Sequence, residues 1–220
     1  MWDRIKKYTQ SESMANNEIT NVVHIKSSWR ATMKKHYFLA VPIEEKQRMI
    51  LQNWIHNHKS SLPFKSWVHP EDYHITLAFL GDIEQHSKLI ELTKRVNETL
   101  KNDEQFEISL KGIDVFGKAE SPRILWAGVE HSVSLNHLQT RIVKACEETC
   151  FQLDRKPFRP HITLARKWNS IQPFIKFARL DEVFNDQPSP SLVSSIHLYQ
   201  TNLDQIPKYE AINIFPLKRK

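Results

Sequence analysis

His74-Ile75-Thr76-Leu77-Ala78 and His161-Ile162-Thr163-Leu164-Ala165 are the same five residues met twice, once in each half of the chain. Both copies stand in apolar, β-favouring surroundings, so each is predicted to be a strand. Side chains of a strand alternate between faces, which puts the His and Thr of one copy on one side, roughly 6.6 Å apart along the backbone. Ile75, Leu77, Ile162 and Leu164 then turn to the core. Two imidazoles and two hydroxyls would converge if the halves pack face to face.

Histidine has an unperturbed pKa of about 6.5, so it serves as acid or base near neutrality. A pair divides the labour. One neutral imidazole takes a proton from water and one imidazolium gives a proton to a departing alkoxide, work that contributes typically about 10²–10⁴-fold. Threonine hydroxyls meet charge that develops on non-bridging phosphoryl oxygens. A single His-x-Thr in a strand is ordinarily a packing feature; the identical second copy is what favours chemistry. Metal ligation is the rival use, but two His without carboxylates or thiolates at ligand spacing form an incomplete set. Neither metal nor cofactor is expected.

Arg166 ends the second copy where the first has Phe79. Its fixed fork of donors suits an anionic phosphodiester. Strict alternation turns Arg166 away from His161 and Thr163, so its length or a twist at the strand end must bring it round. A solvated surface arginine is the other reading, and Lys167 would add field rather than contact.

The elements that must hold these residues alternate along the chain. A strand opens near Met33 and closes at Pro42, and a helix is predicted from Glu44 to His58. A short extended piece at Trp67-Val68 leads to the first motif strand, which ends at Gly81-Asp82. The helix predicted over 85–100 places Leu89, Leu92, Val96 and Leu100 in one stripe. Strands follow at 106–110, continued through 115–116, and at 123–129. A helix over 134–149 takes Ser134 as N-cap and carries Leu135, Leu138 and Ile142 inward. Pro157 and Pro160 bracket the loop into the second motif strand. Residues 171–186 read as irregular or partly helical, and strands at 192–203 and 209–215 close the chain. Strand, helix, motif strand and helix, met twice, describe an internally duplicated α+β protein.

At 220 residues the chain can bury a substantial core, and its composition of 40% hydrophobic and 25% charged residues is that of a globular protein. Lys and Arg exceed Asp and Glu by 31 to 25, for a net charge of +6, which favours polyanions such as RNA without demonstrating binding. Cys146 and Cys150 stand four apart in a predicted helix, where a disulfide would close a tiny loop, so reduced thiols in a cytoplasmic protein are expected. Nothing resembles a membrane span or a signal peptide. Residues 1–32 show no sustained period and are expected to be a disordered N-terminal extension to a single unit over 33–220.

With Leu77-Ala78-Phe79-Leu80-Gly81 after the first motif and Phe158-Arg159-Pro160 before the second, the chain resembles the 2H phosphoesterases. Within them it is most similar to the RNA 2′,3′-cyclic phosphodiesterases, also called 2′-5′ RNA ligases. The likeness runs from Met33 to the C-terminal strands. It implies a bilobal α+β fold, with antiparallel sheets flanked by helices around a central cleft. It also implies an enzyme that opens RNA 2′,3′-cyclic phosphate ends to 2′-phosphomonoesters, with reverse ligation of tRNA fragments in some members. Carried onto this sequence, His74 would be the proton donor and His161 the acceptor, with Thr76, Thr163 and Arg166 on the phosphate. One histidine needed in each protonation state gives an expected optimum that is broad and near neutral, and a monomer is the default. A phosphodiesterase of 2′-5′ oligoadenylate or of a small cyclic phosphate, and an idle RNA-end binding module, are the competing readings. Tyr37, Phe38 and Trp67 are candidates for stacking on a base, with core packing the simpler role for each.

Overall fold

The computed structural model describes residues 35–83, 85–176, 180, 183–184 and 190–219. The expected extension over 1–32 and part of the irregular stretch over 171–186 lie outside the described residues. The first half runs β1 (His36–Pro42), α1 (Glu45–His58), β2 (Phe64–Trp67), β3 (His74–Asp82) and α2 (His86–Leu100). The second runs β4 (Phe106–Lys118), β5 (Ser121–Val129), α3 (Val133–Glu148), β6 (His161–Trp168), β7 (Pro190–Val193), β8 (Ser195–Thr201) and β9 (Tyr209–Pro216). The expected strand over 192–203 is therefore two, broken at Ser194, and the N-cap of α3 is Ser132, whose hydroxyl accepts from Leu135 N.

All strands pair antiparallel, in the order β7-β4-β5-β6-β3-β1-β8-β9, with β2 added to β6. The order is symmetric about the β6–β3 junction: β6-β5-β4-β7 on one side and β3-β1-β8-β9 on the other. The two halves of the sheet thus meet edge to edge, not face to face, with the C-terminal strands β8 and β9 on the side of the first motif, and the two motif strands are neighbours. Their ladder contact is Ile75 opposite Ile162. Beyond it the strands diverge, β3 continuing along β1 and β6 along β5 and β2.

The three helices among the described residues feed the same core. The stripe Leu89, Leu92, Val96 and Leu100 is buried as the spacing requires, as are Leu135, Leu138 and Ile142 of α3. These residues join Ile75, Leu77, Ile162 and Leu164 in one cluster. Each of these strand residues removes an apolar side chain from water, worth roughly 1.5–3 kcal/mol. Ile162 is fully buried at the junction, so Ile162→Ala is expected to cost about 2–4 kcal/mol, read as a lowered urea midpoint with unchanged slope.

Candidate active site

With Ile75 opposite Ile162, one step along antiparallel strands brings His74 level with Thr163 and Thr76 level with His161. All four are half-buried on the face opposite the helices, while their neighbours Ile75 and Ile162 are buried. Adjacent strands running opposite ways do what two facing sheets were expected to do.

The same irregularity follows both threonines. Along β1, Ala40 pairs with Thr76 and Leu39 with Ala78, so Leu77 has no opposite number. Along β5, Trp126 pairs with Thr163 and Leu125 with Ala165, so Leu164 is skipped. Each motif strand therefore carries a β-bulge, which puts two successive side chains on one face. Leu77 with Ala78, and Leu164 with Ala165, are accordingly buried together. The bulge resets the alternation, and the next residues, Phe79 and Arg166, emerge on the His/Thr face. Arg166 does not face away as strict alternation requires, and neither length nor end twist has to bring it round.

Both histidines are held by the same device. His74 Nδ1 bonds the main-chain oxygen of Asp72 at 2.7 Å, and His161 Nδ1 that of Arg159 at 2.7 Å. A carbonyl only accepts, so each Nδ1 is the N–H and each Nε2 is left for proton exchange. Sequence reasoning missed this pair of contacts, because a main-chain oxygen two residues upstream leaves no trace in residue type.

The surroundings of the two rings differ. His74 packs on Phe38 (4.7 Å between centroids) and meets Tyr209 edge-on at 5.1 Å. His161 meets Phe116 edge-on at 4.9 Å, and Phe116 is stacked on Trp126. Burial pushes His74 down to about 4, with the Asp72 carbonyl opposing and the Arg166 and His161 charges adding to the fall. Burial also lowers His161, again opposed by its carbonyl and aided by Arg166. One guanidinium thus acts on both imidazoles.

Two cavities flank the junction. The larger, about 1160 Å³, is lined by Thr76, Phe79, Phe116, Arg123, Arg159 and His161 among others. The smaller, about 340 Å³, takes in Trp67, Asp72, Arg166, Lys208 and Tyr209. Phe38 is buried beneath His74, which settles it as packing; Trp67 lines the smaller cavity, and Tyr37 bonds Gln200. Among the described residues no group of three or more His, Cys, Asp or Glu stands together as a metal site requires, and no helix is long and apolar enough to cross a membrane.

A family model described as the 2′-5′ RNA ligase superfamily matches residues 51–205. The chain belongs to that superfamily. The RNA 2′,3′-cyclic phosphodiesterase of Bacillus subtilis is 34% identical over 185 residues, covering 84% of this chain and 98% of its own length. That of Geobacillus stearothermophilus is 41% identical over 187 residues, again 84% of this chain, which spans 58% of that relative's length. Among solved structures, Escherichia coli LigT complexed with 3′-AMP superposes with a TM-score of 0.68 at 19% identity, over 84% of this chain and 99% of LigT. TT0787 of Thermus thermophilus gives 0.68 at 22% identity, over 84% and 99%. These structures share this chain's fold, and the antiparallel α+β architecture read from the sequence is the one they carry.

Proposed function

We propose that this chain hydrolyses RNA 2′,3′-cyclic phosphate ends to 2′-phosphomonoesters by two-histidine acid–base catalysis. The observation that carries the reading is the pair of imidazoles, each with Nδ1 on a carbonyl and Nε2 free, set across one strand junction with a hydroxyl level with each. His161 Nε2 takes a proton from water as the water oxygen bonds to phosphorus. The P–O3′ bond breaks, and O3′ takes a proton from His74 Nε2. Thr76, Thr163 and Arg166 hold the non-bridging oxygens, whose charge grows in the transition state. Superfamily membership and relatives named for this activity support the same reaction.

The reading extends to tRNA fragments as substrates, to a reverse step forming 2′-5′ links, and to a monomer acting in the cytoplasm as one unit over 33–220. Two separately held titrating groups argue against a module that only binds RNA ends, since binding has no use for them. The test is a short RNA ending in 2′,3′-cyclic phosphate, incubated with the protein and EDTA. The expected product is the 2′-monoester at an unchanged rate. A 3′-monoester, or activity abolished by EDTA, overturns the mechanism.

A further inference from the structure

The two copies hold their histidines alike but anchor them differently. His161 bonds the carbonyl of Arg159, an exposed residue in the loop before β6. His74 bonds the carbonyl of Asp72, which is 4% exposed. The second copy makes this hydrogen bond without a buried acid, so the carboxylate of Asp72 serves another purpose.

Its oxygens face the start of β9. Oδ1 accepts from the backbone N–H groups of Lys208 (2.9 Å) and Tyr209 (3.0 Å), and Oδ2 from that of Lys208 (3.0 Å). A buried carboxylate is costly without such donors, so Asp72 and segment 208–209 are held as a unit. What that unit presents is Tyr209. Two strands, β1 and β8, separate β9 from β3 in the sheet. Tyr209 nevertheless stands edge-on to His74 at 89° and edge-on to Phe38. Its hydroxyl faces the Arg166 guanidinium, and both line the smaller cavity beside Asp72.

We propose that Asp72 is a positioning residue: its carbonyl sets which nitrogen of His74 exchanges protons, and its carboxylate holds Tyr209 against Arg166. Proton donor and phosphate-binding guanidinium then keep one geometry. This deepens the phosphodiesterase reading and rests on it for the identity of the ligand, a phosphoryl anion. Arg166 is a long, exposed side chain that loses rotamer freedom when it grips a phosphate. A fixed phenol oxygen beside it removes part of that loss before substrate arrives, which acts on binding more than on the chemical step.

Asp72→Asn keeps the carbonyl but replaces an acceptor oxygen with a donor facing Lys208 and Tyr209. For a dinucleotide ending in 2′,3′-cyclic phosphate, KM is expected to rise about tenfold with kcat within about threefold of wild type. Tyr209→Phe keeps the ring, loses the oxygen and is expected to raise KM about fivefold with an unchanged melting temperature. The double variant is no worse than Asp72→Asn alone, because both act through one hydroxyl. Calorimetric titration with inorganic phosphate, which needs no turnover, weakens by a similar factor in each single variant. Phosphate affinity unchanged by Tyr209→Phe, or additive effects in the double variant, overturns the proposal. Should Asp72→Asn fail to fold, a cycle of Tyr209→Phe with Arg166→Lys carries the test, and additivity there overturns it too. Phosphate binding that depends on Tyr209 in a protein turning over no cyclic phosphate supports this placement of Arg166 and overturns the phosphodiesterase reading instead.

Discussion

His161→Ala and His74→Ala are each expected to lower kcat/KM on a 2′,3′-cyclic phosphate RNA end by about 10²-fold or more, with the melting temperature largely kept. The size follows from the proposed proton transfers, which alanine cannot make. Without His161 the attacking water keeps its proton; without His74 the O3′ oxygen must leave as an alkoxide. Because both act in one step, the double variant falls well short of the product of the singles. If either single variant retains full activity, the site lies elsewhere.

The same pair sets a pH dependence whose sign is fixed. Burial, the largest cause in both, takes His74 to about 4 and His161 below its ordinary value. The donor must carry a proton and the acceptor must not. Near pH 7 the free protein therefore holds both rings mostly neutral, and lowering the pH populates the protonated donor. The kcat/KM profile, which reports the free protein, is expected to peak on the acid side of about 6.5 and to decline as pH rises. A bound phosphodiester anion would offset the Arg166 charge and raise both imidazoles, so the kcat profile is expected to peak at higher pH. The apparent values belong to the pair and not to either ring. Steady-state profiles of the two parameters check this, and a kcat optimum at or below that of kcat/KM contradicts it. Unperturbed histidines would give an optimum near neutral pH; burial of both rings displaces the expected optimum of the free protein to the acid side.

Why some of this site was legible in the residues and some was not has a physical basis. Period-2 alternation specifies which side chains of a half-buried strand face the core, so Ile75, Leu77, Ile162 and Leu164 could be assigned directly. The stripe of α2 is equally local. The bulges are not, because Leu77-Ala78 and Leu164-Ala165 are apolar whether or not the ladder skips a residue, and only pairing with β1 and β5 reveals the skip. The face of Arg166 depends on that skip. Edge-to-edge meeting of the halves rests on one pair far apart in sequence, Ile75 with Ile162. Tyr209 reaches His74 through the Asp72 carboxylate across two intervening strands, a path no window along the chain contains.

The divergence after the bulges carries the second large effect. Phe79 and Arg166 occupy equivalent positions in the two copies, yet Phe79 lines the larger cavity with Thr76 and His161, while Arg166 lines the smaller one with Tyr209. Arg166→Ala is expected to lower kcat/KM by about 10²-fold, the worth of charge-assisted hydrogen bonds to a phosphoryl group. Arg166→Lys keeps the charge without the fork and recovers only part of that loss. A surface arginine with no role would cost nothing, but so large a loss could also come from local collapse, so a second readout is needed. The guanidinium charge depresses both His74 and His161. Removing it lets both rise while burial still holds them below their ordinary value, so the acid-side optimum of kcat/KM is expected to move up in Arg166→Ala. Arg166→Lys, which keeps the charge, leaves the optimum near its wild-type position. An alanine variant that loses activity with its profile unmoved would place Arg166 outside the electrostatic reach of the two histidines, and the asymmetric use of the two strands would have to be abandoned.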